Sequence, residues 1–177
     1  MMKKLITICS IFLVILTACE GPAGPPGFDG LDGINGADGQ DAPLPTVFEE
    51  SATFDYNDAD NVWVSQVFSF NGTIDGDVFL TYLEISPGVF TLMPVSFFDE
   101  FGEYQYVFDH DVATVQLQII GDNDLSTLGA ESTTNVPVRI AIIPADLVRG
   151  ASFENIEDFD TLLFNLNLET GDIQSLD

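Results

Sequence analysis

Between residues 46 and 143 apolar and polar side chains repeatedly alternate, the spacing of a strand with one buried and one wet face. The clearest run is Val112 to Ile120, where Ala113, Val115, Leu117 and Ile119 face one way and Thr114, Gln116 and Gln118 the other. Similar runs span Val47 to Phe54, Val62 to Phe70, Val78 to Ile85, Val89 to Val95, Gly102 to Phe108 and Val136 to Ile143. Turn formers separate them, among them Asn71-Gly72, Asp75-Gly76, Pro87-Gly88 and Asp122-Asn123. Seven or eight short strands at this spacing predict an all-β domain over 46–177, an antiparallel β-sandwich. One segment breaks the pattern: Asn155 is placed to cap a short C-terminal helix from Ile156 to about Leu166, with Ile156, Phe159, Leu163 and Leu166 on one stripe.

The first nineteen residues follow a different logic. Met1-Met2-Lys3-Lys4 is a short positive segment, and Leu5 to Ala18 is an apolar run broken only by Thr7, Cys9, Ser10 and Thr17. The run is shorter than the roughly twenty residues a permanent membrane helix needs, and it ends in small residues. A cleavable secretory signal over 1–18 is expected. Its end, Leu16-Thr17-Ala18-Cys19, resembles the lipobox of bacterial lipoproteins. That resemblance implies cleavage before Cys19 and acylation of its thiol and new amino group with palmitate-like chains, giving a membrane lipid anchor. A thiolate is nucleophilic enough for such a transfer, and two or more acyl chains hold where a single one does not. Cys9 leaves with the signal, so no disulfide or cysteine metal site is expected.

From Gly21 to Asp41 glycine occupies every third position, in seven triplets from Gly21-Pro22-Ala23 to Gly39-Gln40-Asp41. A collagen triple helix makes this demand, because only glycine fits where its three chains meet. Pro22, Pro25 and Pro26 stiffen the first triplets, and Phe28-Asp29, Leu31-Asp32 and Ala37-Asp38 repeat an apolar or small residue followed by Asp. Two readings stay open for this collagen-like stalk, which with Cys19 and the hinge Ala42-Pro43-Leu44-Pro45 fills 19–45. One is a homotrimer through the Gly-X-Y repeat. The other is a monomeric spacer stretched by charge repulsion. Fully extended, either reaches about 65 Å.

Charge narrows the partners. All 29 acidic residues lie at or beyond Glu20, so removal of Lys3 and Lys4 takes the formal charge from −25 to −27, with only Arg139 and Arg149 opposing it. Nucleic acid and anionic headgroups, which need basic surface, are excluded as partners. Adaptation to salty surroundings explains such acidity more simply than an acidic binding site does.

Three constellations are candidates for chemistry. His110, the only histidine, sits in Phe108-Asp109-His110-Asp111, where flanking carboxylates can orient a general base. No nucleophile-elbow pattern accompanies it, and the expectation is that the chain is not an enzyme. In Asp55-Tyr56-Asn57-Asp58-Ala59-Asp60-Asn61 the oxygens of Asp55, Asn57, Asp58 and Asp60 are the candidate ligands for calcium, although an EF-hand's glycine and glutamate are replaced by Asp60 and Gln66. The alternative is a solvated acidic turn. Trp63, Tyr82, Tyr104 and Tyr106 are candidates for a polysaccharide-stacking face, or else for core and cross-strand packing.

The order of lipobox cysteine, Gly-X-Y triplets and β domain, with Asp124-Leu125-Ser126-Thr127-Leu128 and Val138-Arg139-Ile140-Ala141-Ile142-Ile143-Pro144-Ala145-Asp146, resembles the collagen-like-repeat lipoproteins of Bacteroidota. The resemblance covers most of the chain. It implies a place in the cell envelope, anchored by lipid at the outer membrane on its surface or periplasmic face, and it carries no activity and no site residues. The function expected is display of an acidic β domain for contact with a protein or polysaccharide of the surface or envelope. The alternative is a calcium- or polysaccharide-binding module.

Overall fold

The computed structural model describes residues 44–148 and 155–176. The signal, Cys19 and the Gly-X-Y triplets lie outside the described residues. Among the described residues nine strands form: β1 (Thr46–Ala52), β2 (Phe54–Asn57), β3 (Val62–Ser69), β4 (Val78–Ser86), β5 (Val89–Leu92), β6 (Val95–Phe98), β7 (Glu103–His110), β8 (Thr114–Gly121) and β9 (Val136–Ile143). They build two antiparallel sheets, one in the order β1-β9-β4-β5 and the other β2-β3-β8-β7-β6. Short helices α1 (Ala130–Thr133) and α2 (Ala145–Val148) flank β9, and α3 (Phe159–Leu166) follows. The all-β sandwich read from the alternation is present.

Seven runs become nine strands because two of them cross between sheets. The run from Val47 to Phe54 passes from β1 in the first sheet to β2 in the second at Thr53. Here the Gln66 side chain takes the place of a neighbouring strand: its Oε1 accepts from Thr53 N at 2.9 Å and its Nε2 donates to Ser51 O at 2.7 Å. The run from Val89 to Val95 breaks at Met93-Pro94, joined by a cis peptide, and continues as β6 in the second sheet. Proline has no N–H for a ladder, and this position needs none.

Between the sheets lies the main core. Val115, Leu117 and Ile119 of β8 are fully buried against Phe79 and Leu83 of β4 and Val138, Ile140 and Ile142 of β9. The near-continuous apolar run of β9 marks a strand covered on both faces. Its other face, with Ala141 and Ile143, joins Val47, Tyr82 and Phe90 in a second core beneath Phe159, Leu162 and Leu163 of α3. Arg139 also lies on this side, its guanidinium carbon 3.9 Å from the Phe90 ring centre and 4.5 Å from that of Phe159, with Nη2 2.6 Å from Glu49 Oε2.

The predicted helix is present with a later start. Asp158, not Asn155, is its N-cap, accepting from Thr161 N at 3.1 Å, while Asn155 takes a left-handed φ of 59°. The delay has a structural use, because the residues before α3 run along the edge of β5: Leu92 N donates to Glu157 O at 3.0 Å, and Thr91 pairs with Asp158. Past α3 the chain reaches the opposite edge of the same sheet. There Gln174 bridges β1 in parallel, through Glu49 N to Gln174 O at 2.8 Å and Gln174 N to Val47 O at 2.9 Å.

Candidate functional site

The acidic cluster forms the β2–β3 hairpin. Asn57 Nδ2 donates to Asp60 Oδ2 at 2.7 Å, and Asn57 Oδ1 accepts from Ala59 N at 3.1 Å, so both side chains are engaged in closing the turn. Asn61, at a left-handed φ of 52°, fastens the hairpin to the loop after β8: Oδ1 accepts from Leu125 N at 2.9 Å and Nδ2 donates to Asn123 O at 2.8 Å. Of the four candidate calcium ligands the structure brings Asn57 and Asp60 together, and Asp55 and Asp58 are exposed on the same hairpin. Among the described residues no group of three or more His, Cys, Asp or Glu side chains is placed to hold a metal ion.

The four aromatic residues do not form an exposed face. Tyr82 is fully buried under α3 and donates to Ile156 O at 2.6 Å, whereas Tyr106 is buried between the sheets and donates to Ser132 O at 2.6 Å. Burial pushes both phenols well above the usual tyrosine range. Trp63 Nε1 donates to Leu125 O at 2.7 Å, and Trp63 and Tyr104 are both packed against the main core. The polar handles of Trp63, Tyr82 and Tyr106 are directed to backbone carbonyls, and the sheet assignment separates Tyr82 from the other three.

His110 closes β7 and is exposed, its ring 5.0 Å from that of Phe79 and its Nδ1 3.1 Å from Asp111 O. Its acidic neighbours serve other groups. Asp109 Oδ2 accepts from Gln118 Nε2 at 2.7 Å, and Asp111 Oδ1 accepts from Ala113 N at 2.8 Å and Thr114 N at 2.7 Å. The bond from the Ala113 amide, then those from Thr114 and the nearby His110, hold the Asp111 carboxyl below the usual carboxylate range.

Around His110 the structure assembles a feature that no motif announced. The loop from Asn71 to Asp77 stands between two adjoining grooves at one rim of the sandwich. One, of about 330 Å³, is lined by Phe48, Phe70, Ile142 and Pro144 together with Leu44; the other, of about 420 Å³, is lined by Phe79, His110, Asp111 and Val112. Ile74 and Asp77 line both. Asp77 braces the loop: its Oδ2 accepts from Ile74 N at 3.0 Å, its backbone N donates to Ile74 O at 3.2 Å, and its Oδ1 accepts from Ala145 N at 3.1 Å. Ile74 is thus presented to solvent on a tied turn. An isolated isoleucine between Asn71-Gly72 and Asp75-Gly76 was the one sequence signal of it.

No helix among the described residues is long and apolar enough to cross a membrane. Comparison of the chain with protein-family models, with curated proteins and with solved structures finds no match.

Proposed function

We propose that the chain is a lipid-anchored display protein of the cell envelope, non-enzymatic, whose Gly-X-Y segment holds an acidic β-sandwich away from the membrane for contact with other surface or envelope components. The observation that carries this reading is the position of Cys19, at the junction of a fourteen-residue apolar run, Leu5 to Ala18, and seven Gly-X-Y triplets. An anchor followed at once by a spacer is the order that display requires. The β domain is consistent with such a role, because Asn57, Asn61, Gln66, Asp77 and Asp111 bind backbone and fasten turns.

Mass spectrometry of the native protein tests the anchor. The expected N-terminal peptide begins at Cys19 and carries at least two acyl chains, and Cys19→Ser releases the chain from the membrane fraction. An unmodified Cys19, or a mature N-terminus elsewhere, removes the reading.

A further inference from the structure

The rim around Ile74 gathers exposed apolar side chains beside two grooves whose lining mixes apolar residues with the carboxylates of Asp75, Asp77 and Asp111. Leu44 is 80 % exposed, Ile74 60 % and Val112 48 %, and all three line the adjoining grooves. Exposed apolar side chains gathered beside concave apolar surface mark an interaction site more than scattered ones do. Here the projecting side chain and the hollows share one rim, so a copy of the domain carries both halves of a contact. Two copies can join such rims as a two-fold pair or head to tail, and a head-to-tail contact closes into a ring when the rotation permits.

Connectivity selects the ring of three. The last triplet ends at Asp41, and the step from there to Leu44 spans at most about 11 Å of extended chain. Three chains wound around one collagen axis therefore deliver three Leu44 rims to the same neighbourhood. Resting on the reading of 21–41 as a collagen-like stalk, we propose that this rim is the seam between three copies of the domain, with Ile74 of each copy seated in a groove of the next.

The stalk and the seam need each other. Seven triplets with three prolines, bringing together twelve carboxylates from Asp29, Asp32, Asp38 and Asp41 of three chains, make a weak triple helix. A contact resting on Leu44, Ile74 and Val112 over two grooves is a small one. Tethering makes each contact intramolecular, at an effective concentration of order millimolar, so two weak associations hold together. Since like charge opposes the assembly and apolar burial drives it, salt strengthens it.

The test is sedimentation of the full lipoprotein extracted in neutral detergent, at low and at high sodium chloride, with Cys19 acylation read by mass spectrometry on the same samples. The expected wild type is a trimer whose share rises with salt. The double variant Ile74→Asp/Val112→Asp is expected as a monomer with an unchanged near-ultraviolet spectrum, while Phe98→Asp, an exposed apolar position on β6 outside this rim, stays trimeric. Should the double variant lose its spectrum, Ile74→Ser at the same site is read instead. A monomeric wild type, or an Ile74 variant that remains trimeric, overturns the seam. Acylated Cys19 on a monomeric wild type leaves the display reading standing without it, and a trimer with unmodified Cys19 does the reverse.

Discussion

The two sheets solve the same problem in opposite ways. The sheet β1-β9-β4-β5 is covered on one face by the other sheet and on the other by α3, and both its edges are paired, β5 with Glu157 and Asp158, β1 with Gln174. One stretch of chain, residues 155–176, makes all of these outer contacts. The sheet β2-β3-β8-β7-β6 has its apolar face on the main core and turns the other, with Gln105, Gln116 and Gln118, to solvent. Among the described residues no further strand pairs with β2 or β6. These two edges are only four residues each, and shortness is itself a protection against unwanted pairing. A four-stranded sheet made apolar on both sides depends on its strap, whereas a five-stranded sheet that is wet on one side does not.

Ending the chain at Val148 breaks the comparison most severely. It exposes Tyr82, Phe90, Ala141 and Ile143 and frees two strand edges, a loss on the order of the whole 5–15 kcal/mol by which small domains are stable. The expected product is insoluble or lacks a cooperative thermal transition. A single cut into the same layer, Phe159→Ala, removes a ring buried to 2 % exposure beside Tyr82, Phe90 and Arg139 and is expected to cost about 3–5 kcal/mol in urea denaturation. Its counterpart on the wet face, Gln118→Thr, is expected to change stability by less than about 0.5 kcal/mol; equal losses at the two sites would refute the asymmetry. Thr81→Val has the opposite sign. Thr81 is fully buried with its hydroxyl unpartnered, so removing that group at nearly constant shape is expected to raise stability by about 1 kcal/mol.

What was legible in the sequence follows from range. Alternation is written locally, so Val115, Leu117 and Ile119 were readable as a core face, and the turns with Gly72, Gly76 and Gly88, all at positive φ, were readable as turns. Pro94 was a local signal too: a proline inside an apolar run marks an edge or a break, and the run breaks there. Thr53 carries no such mark. The crossing at that point is held by Gln66, thirteen residues away. Asn155 and Asp158 are equally good caps on paper, and the choice between them is made by the pairing of Glu157 and Asp158 with β5, which no single segment reveals. The candidate chemistry divides in the same manner. The residues of the acidic hairpin were visible, but the partners of Asn61, at Asn123 and Leu125, lie about sixty positions on, and the rim around Ile74 draws on β1, β4, β7, β9 and the loops beside them.

The docking of residues 173–176 onto β1 has a consequence for how the domain comes into being. Glu50, among the earliest strand residues to be synthesised, waits for Ser175 and Leu176, made about 125 residues later, and β1 also needs β9 before it gains a neighbour. Such distant pairings slow folding and leave partly finished sheets exposed. A polypeptide arranged this way leaves its first sheet edge open until Gln174, Ser175 and Leu176 have been made.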